Sequence, residues 1–162
     1  MNTSRLVRAA LMTAIVLALT LIVIPIPMSQ GYINLGDAGV YAAAAAVGGV
    51  WGVAAAALGS ALADVILAYT LYAPATFLIK GLAALFALLI LRRAKGGWRL
   101  LGLLGCGVFI AGGYLVFESV FVSGSLAAAL VNLPFNLVQA AVGASLGYVL
   151  ITFMEKLRLD AK

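Results

Sequence analysis

The chain has 162 residues, of which 65% are hydrophobic and 9% are charged, and its mean hydropathy is +1.20. Soluble domains are roughly 45–50% apolar, so this composition indicates one integral membrane domain over residues 1–162 and excludes a separate soluble catalytic domain. The net charge of +5 fits Lys and Arg retained in cytoplasmic loops, so we expect no nucleic-acid partner.

The apolar runs predict an all-α integral membrane protein, a bundle of six transmembrane helices in the lipid bilayer. The predicted helices cover residues 5–25, 37–50, 52–70, 75–91, 98–121 and 129–155. We expect the first helix to be retained rather than cleaved as a signal peptide, because "PIPMSQG" offers no small-x-small cleavage site. Pro25 and Pro27 end that helix, and "GGVWG" predicts a tight connection between the second and third.

The distribution of Lys and Arg predicts the orientation. Six spans place both termini on one side of the membrane, and the positive-inside rule assigns that side to the cytoplasm. Nine of the ten cations fall there, at the termini or between the fourth and fifth helices: Arg5, Arg8, Arg92, Arg93, Lys95, Arg99, Lys156, Arg158 and Lys162. Lys80 is the exception. We expect a multi-pass membrane protein with cytoplasmic termini.

The remaining polar residues gather at the predicted outer end of the bundle. A charged side chain near the bilayer centre costs about 2.5–3.5 kcal/mol, so such a group is a functional hypothesis. The group comprises Asp37, Asp64, Lys80, Glu118, Asn132, Asn136 and Gln139. Aromatic residues at the same depth form an interfacial belt or the flat walls of a small-ligand pocket: Tyr32, Tyr41, Tyr69, Tyr72, Phe77, Tyr114 and Phe117.

For each of these polar residues, a structural role is the alternative to a role in ligand binding. Asp64 and Lys80 flank the "YAP" turn and either form an ion pair between two helices or leave Lys80 facing a ligand. Glu118 has no cation of its own, so it takes up a proton, meets a ligand or reaches external water. Asn132 and Asn136 share one helix face. Together with Gln139 they either hydrogen-bond to the donor and acceptor groups at the edge of a heterocyclic ligand or form hydrogen bonds between helices.

The first predicted helix carries small residues on one face, Ala10, Ala14 and Ala18. Such a stripe lets helices approach closely in lipid and suits a partner membrane protein. Gly48 with Gly52 and Gly143 with Gly147 add two further small-residue pairs.

Several chemistries are not expected. The chain has no His, and we predict no catalytic residue, no metal ion and no cofactor. An intramembrane aspartyl protease needs two carboxylates close together at depth, whereas Asp37 lies at a helix start near the surface. Ser60 has neither a His nor a nearby Lys that could activate it as a nucleophile. No G-x-x-x-x-G-K-[ST] motif is present, so ATP hydrolysis is not expected of this chain. An ion-coupled carrier remains an alternative, although no internal duplication is evident.

One stretch carries a family likeness. "GYINLGDAGVYAAAAAVGGVWGVAAAALGSALADVILAYTLYAPATFLIKGL" resembles the substrate-binding S components of energy-coupling factor (ECF) vitamin transporters, through its Asn-x-Gly-Asp turn and its Ala-Pro-Ala-Thr-x-x-x-Lys-Gly signature. The resemblance covers residues 5–90 by motif and the rest by topology.

The resemblance implies a bundle in a prokaryotic plasma membrane that captures a vitamin outside and topples in the membrane to deliver it inward. "GYINLGD" would be a lid, with Gly31 and Gly36 permitting the turn and Asn34 and Asp37 capping the next helix or touching substrate. A transmembrane T component would dock on the alanine stripe of the first helix, and two cytoplasmic ATPases would supply energy.

The expected substrate-binding residues are Asn34, Asp37, Tyr72, Lys80, Tyr114, Glu118, Asn132, Asn136 and Gln139. The three outer acids exceed the one outer lysine by two negative charges, which disfavours ligands with several carboxylates. We therefore favour hydroxymethylpyrimidine or pyridoxine as the substrate. Riboflavin, the name often attached to this branch, and cobalamin remain alternatives.

Overall fold

The computed structural model describes the backbone of residues 3–26 and 32–160, with side chains up to residue 157. The elements in chain order are α1 Thr3–Thr20, β1 Val23–Pro25, β2 Tyr32–Asn34, α2 Gly36–Ala46, α3 Gly49–Ile66, α4 Ala73–Arg93, α5 Gly97–Phe117, α6 Leu126–Ala129 and α7 Leu133–Asp160. A π-helical turn, Glu118–Val122, continues α5.

Five helices in the described ranges are long and apolar enough to cross a membrane: α1, α3, α4, α5 with its π-helical turn, and α7. The predicted helix at 37–50 is the exception. It forms α2, which has only 11 residues and a length of about 16 Å. The structure therefore gives five candidate spans where the sequence predicts six.

α2 is the central element of the bundle. Every residue from Gly36 to Ala44 is buried, and the helix packs against α1, α3, α4 and α7. Glycines on the neighbouring helices make this possible. A Cβ at Gly52 would lie 2.8 Å from the Ala43 carbonyl oxygen, and one at Gly143 would lie 2.5 Å from the Asp37 Cβ. The small-residue pairs containing Gly52 and Gly143 thus serve packing inside this chain.

The connection between α2 and α3 is as tight as the sequence predicts. Gly48 and Gly49 both have positive φ, +68° and +57°, a conformation that side-chain-bearing residues rarely adopt.

A β-hairpin, β1 with β2, replaces the last part of the first predicted helix. α1 ends at Thr20 rather than at Pro25, and Val23–Pro25 pairs antiparallel with Tyr32–Asn34. The all-α prediction misses this hairpin. Gly36 also has another role than the one expected: a Cβ there would lie 2.2 Å from Thr20 Oγ1, so the residue allows α2 to pack on α1. The predicted roles of Pro27 and Gly31 lie outside the described residues.

The last predicted helix, 129–155, is divided. The short α6 precedes a turn, and α7 begins at Leu133. As a result Asn132 lies in the turn before α7 and not within its first helical turn.

Three of the predicted cytoplasmic cations lie at one end of the bundle. Arg92 and Arg93 occupy the last turn of α4, and Arg99 near the start of α5 donates to both Glu155 carboxylate oxygens on α7, at 2.9 and 2.8 Å. Large apolar side chains cover much of the outer surface, including Leu78 at 63% exposure and Val149 at 61%. Such a surface is stable in lipid and not in water.

Candidate functional site

A narrow polar cavity lies beneath the hairpin, at the end of the bundle opposite the cation cluster. Its volume is about 30 Å³, which is room for a water molecule or two. The hairpin and the adjacent ends of α1, α3, α4, α5 and α7 contribute its walls. The lining residues are Thr20, Tyr32, Asn34, Asp64, Tyr69, Tyr72, Thr76, Lys80, Tyr114, Glu118, Asn136 and Gln139.

The lysine on the cavity wall is paired with Asp37. Lys80 and Asp37 form a salt bridge in which both side chains are almost completely buried. The prediction that Lys80 pairs with Asp64 is therefore wrong. Its partner is Asp37, because α2 brings that residue between α4 and α7. Lys80 Nζ also lies 5.6 Å from the centre of the Tyr114 ring, within the range of a cation–π contact.

Gln139 joins this ion pair to the hairpin. Its Nε2 donates to Asp37 Oδ2 at 2.9 Å, and its Oε1 accepts from the backbone N–H of Asn34 at 2.8 Å. The Asn34 side chain accepts from the Gly36 N–H at 2.7 Å, which supports the start of α2. Asp37 does not cap α2 through its side chain, and it lies behind the cavity wall rather than on it.

Asp64 holds the hairpin from the other side. The Tyr32 hydroxyl donates a hydrogen bond to Asp64 Oδ1. Burial first, and the Asp64 charge second, raise the pKa of Tyr32 above its usual value, so this phenol stays protonated and remains a donor at neutral pH. Asp64 Oδ2 is buried and makes no hydrogen bond of standard geometry with the described residues.

The second carboxylate on the wall is Glu118, which the π-helical turn of α5 positions. Glu118 is 4% exposed and accepts from Asn132 Nδ2 at 2.8 Å. Asn132 therefore lies behind the wall as a partner of Glu118, whereas Asn136 lines the cavity. Burial, followed by the Glu118 charge, raises the pKa of the neighbouring Tyr72 phenol, and its hydroxyl oxygen is buried without a standard hydrogen bond in the described structure.

Aromatic rings form a continuous wall next to these acids. Ring centres are 4.8 Å apart for Tyr32 and Tyr69, 6.0 Å for Tyr69 and Tyr72, and 5.2 Å for Tyr72 and Phe117. Such a wall offers flat apolar surface beside acceptor groups. Beside this wall, Asp64 Oδ2 and the Tyr72 hydroxyl make no hydrogen bond of standard geometry with the described residues, which suits a flat ligand that donates hydrogen bonds.

Five lining residues were not among the expected substrate-binding residues: Thr20, Tyr32, Asp64, Tyr69 and Thr76. The sequence singled out Tyr32, Asp64 and Tyr69 as outer aromatic or ion-pair residues, but it did not single out Thr20 or Thr76. Thr76 Oγ1 lies 2.9 Å from the Tyr114 hydroxyl. It precedes Lys80 by four residues and so shares its helix face, a signal that the sequence contained. Thr20 gave no comparable signal, because its position depends on where α1 ends.

The alanine stripe of α1 faces outward. Ala10, Ala14 and Ala18 are exposed, while Ala9, Met12, Val16 and Thr20 form the buried face of the same helix. The stripe is therefore open to another membrane protein.

Three comparisons bear on this arrangement. The sequence model of a family described as "ECF-type riboflavin transporter, S component" matches residues 1–156. An uncharacterized protein in the gap 3' region of Pyrococcus woesei is 35% identical over 143 residues, which is 85% of this chain and 94% of that one. A solved structure titled "Structure and mechanism of the S component of a bacterial ECF transporter" superposes with a TM-score of 0.77 at 20% identity, covering 100% of this chain and 99% of the other.

Proposed function

The chain belongs to the family of ECF-type riboflavin transporter S components, and on that premise we propose that it captures a heteroaromatic vitamin in the cavity beneath the hairpin. S components are membrane transporter subunits and not enzymes. The observation that carries the proposal is the cavity itself: two carboxylates, Asp64 and Glu118, and a wall of tyrosines face one space at the outer end of the bundle.

Riboflavin is the first candidate substrate, since the matching family is riboflavin-type. Its tricyclic ring suits the tyrosine wall, and its hydroxyl groups suit unpaired acceptors such as Asp64 Oδ2. Pyridoxine and hydroxymethylpyrimidine are the second candidates, because a ring that carries a proton or an amino group would pair with Glu118.

Entry of any of these ligands requires the hairpin to move. A cavity of about 30 Å³ is too small for an aromatic ring, and the hairpin is attached through side chains that line that cavity. The Tyr32–Asp64 and Asn34–Gln139 hydrogen bonds join it to α3 and α7. We propose that the hairpin acts as a lid and that its opening breaks these two bonds.

We further propose that α2 completes a sixth crossing and that both termini are cytoplasmic. At its outer end Asp37 contacts Lys80 and Gln139. At its inner end Ala45 and Gly48 lie beside Arg92 and Glu155, the level at which α4 and α7 carry their cytoplasmic charges. α2 thus bridges most of the bundle despite its 11 residues.

Transport by this subunit requires partners in our proposal. A transmembrane T component would dock on Ala10, Ala14 and Ala18, and two cytoplasmic ATPase subunits would hydrolyse ATP and drive a toppling motion in a prokaryotic plasma membrane. The exposed stripe on α1 supports a helix–helix contact of this kind.

Reconstitution in liposomes tests the function. The purified chain alone should bind riboflavin or pyridoxine without accumulating it, and addition of the T component and ATPases should give ATP-dependent uptake. Accumulation by the chain alone under an ion gradient would instead identify a solitary carrier.

A further inference from the structure

Lys80 is the one cation on the wall of the outer cavity in the described chain, and its charge is already balanced. A buried ammonium facing a ligand site is a common binder of phosphate groups. Here the ammonium belongs to a salt bridge with Asp37, whose exposure is 0%. The lysine therefore brings a hydrogen-bond donor to the cavity but little net positive charge.

The structure holds Asp37 in place from three directions. Lys80 binds one carboxylate oxygen, and Gln139 Nε2 donates to the other at 2.9 Å. Behind the side chain, α7 carries Gly143, where any Cβ would lie 2.5 Å from the Asp37 Cβ. The absence of a side chain at position 143 is what allows α2 to approach α7 closely enough for Asp37 to reach both partners.

Apart from the tyrosine phenols, the other ionisable groups on the wall are carboxylic acids. Asp64 and Glu118 both line the cavity, and their hydrogen-bond donors are the neutral side chains of Tyr32 and Asn132. With Asp37 paired to Lys80, the described wall offers an anionic ligand no uncompensated cation.

We infer that Asp37 determines specificity: by neutralising Lys80 it makes the site select an unphosphorylated vitamin over the phosphate ester of the same vitamin. A phosphate monoester carries about −1.5 to −2 charges at neutral pH, and the described wall presents it with two carboxyl groups, Asp64 and Glu118, and no cation whose charge is free to balance it. Asp37 acts through Lys80 and is therefore a positioning residue. This inference rests on the proposed function, since it concerns the ligand of the same cavity.

The test compares affinities for riboflavin and riboflavin 5'-phosphate, and for pyridoxine and pyridoxine 5'-phosphate, in detergent. The D37N variant leaves Lys80 as a free cation. Its preference for the unphosphorylated form should therefore shrink by about tenfold or more, as expected for a unit charge released near a phosphate in a partly buried site. A purely structural role for Asp37 would lower both affinities by the same factor and leave their ratio unchanged, which would overturn the inference.

A second variant keeps the test decisive if D37N does not fold. In D37N/K80Q both charges are removed together, which buried pairs tolerate better than loss of one partner. Because the pair contributes no net charge, the ratio of the affinity for the vitamin to that for its phosphate ester should stay within about threefold of the wild-type ratio. A strongly increased preference for the unphosphorylated form would show that Lys80 attracts the phosphate in the wild-type protein, which would overturn the inference. Ser60→Ala, which alters a fully buried residue of α3, is the matched control and should leave the ratio unchanged.

Failure of the proposed function would look different. Wild-type protein that binds neither form of either vitamin contradicts the proposed function and this inference with it. Wild-type protein that binds the vitamins while D37N keeps the wild-type ratio contradicts the inference alone.

Discussion

The Tyr32 hydroxyl donates to the Asp64 carboxylate, and this contact joins β2 of the hairpin to the end of α3 beside the cavity. A hydrogen bond to a charged group is worth about 1.5–3 kcal/mol. The Tyr32 phenol also belongs to the cavity wall, so the residue that fastens the hairpin is one that a ligand would touch.

Removing that hydroxyl should loosen the lid. In Y32F we expect bound ligand to dissociate about tenfold faster or more, because Asp64 loses its donor and the closed hairpin loses one of its attachments. Stopped-flow displacement of riboflavin from detergent-solubilised protein measures the rate. Y148F removes a hydroxyl from α7 outside the cavity lining and should leave the rate unchanged. Equal rates in Y32F and wild type would show that this bond does not hold the lid.

The glycine on α7 that faces α2 should not tolerate a methyl group. G143A places a Cβ 2.5 Å from the Asp37 Cβ, and overpacking of this kind costs about 1–3 kcal/mol. We expect a lower melting temperature and weaker ligand binding. G112A on α5 is the control, since a Cβ there meets nothing within 4 Å and alanine favours the helix. The two variants having the same melting temperature would contradict the close α2–α7 packing.

Assembly should depend on the exposed face of α1. In A14W a large ring blocks the alanine stripe, so co-purification with the T component and vitamin uptake should be lost. Vitamin binding should be kept, because Ala14 points away from the bundle interior. A141W places the same ring on an exposed position of α7 and should assemble normally. Normal uptake by A14W would exclude the stripe as the docking face.

Membrane-impermeant thiol labelling tests the proposed topology. Cys106 is buried at 3% exposure, and a C106S background removes it. In that background K95C and K156C should react only when the cytoplasmic side is accessible, and S125C only from outside. Labelling of K95C and S125C from the same side would be incompatible with the proposed orientation of α5.

The sequence predicts the long helices well, since each depends on a continuous apolar run that the membrane requires. α4, predicted at 75–91, spans Ala73–Arg93, and α3, predicted at 52–70, spans Gly49–Ile66. The hairpin was not predictable in this way. Its strands have three residues each, too few for an alternating pattern, and Pro25 at the end of a hydrophobic run equally suits a helix end.

The sequence also did not show which polar side chains pair with each other. Asp64 and Lys80 are close along the chain on either side of a turn, which favoured them as an ion pair. The observed partner, Asp37, is 43 residues from Lys80 and reaches it only because α2 is buried between α4 and α7. That burial depends on Gly143, whose role is evident only once the two helices are seen in contact.

The most direct test of the central claim, that the cavity beneath the hairpin holds a vitamin, is native mass spectrometry of gently purified protein supplied with riboflavin, pyridoxine and hydroxymethylpyrimidine. Wild-type protein should retain one of these molecules per chain, and Glu118→Ala and Asn136→Ala should lose it while remaining folded. Retention of the same ligand by both variants, or retention of none of the three by wild type, would contradict the account.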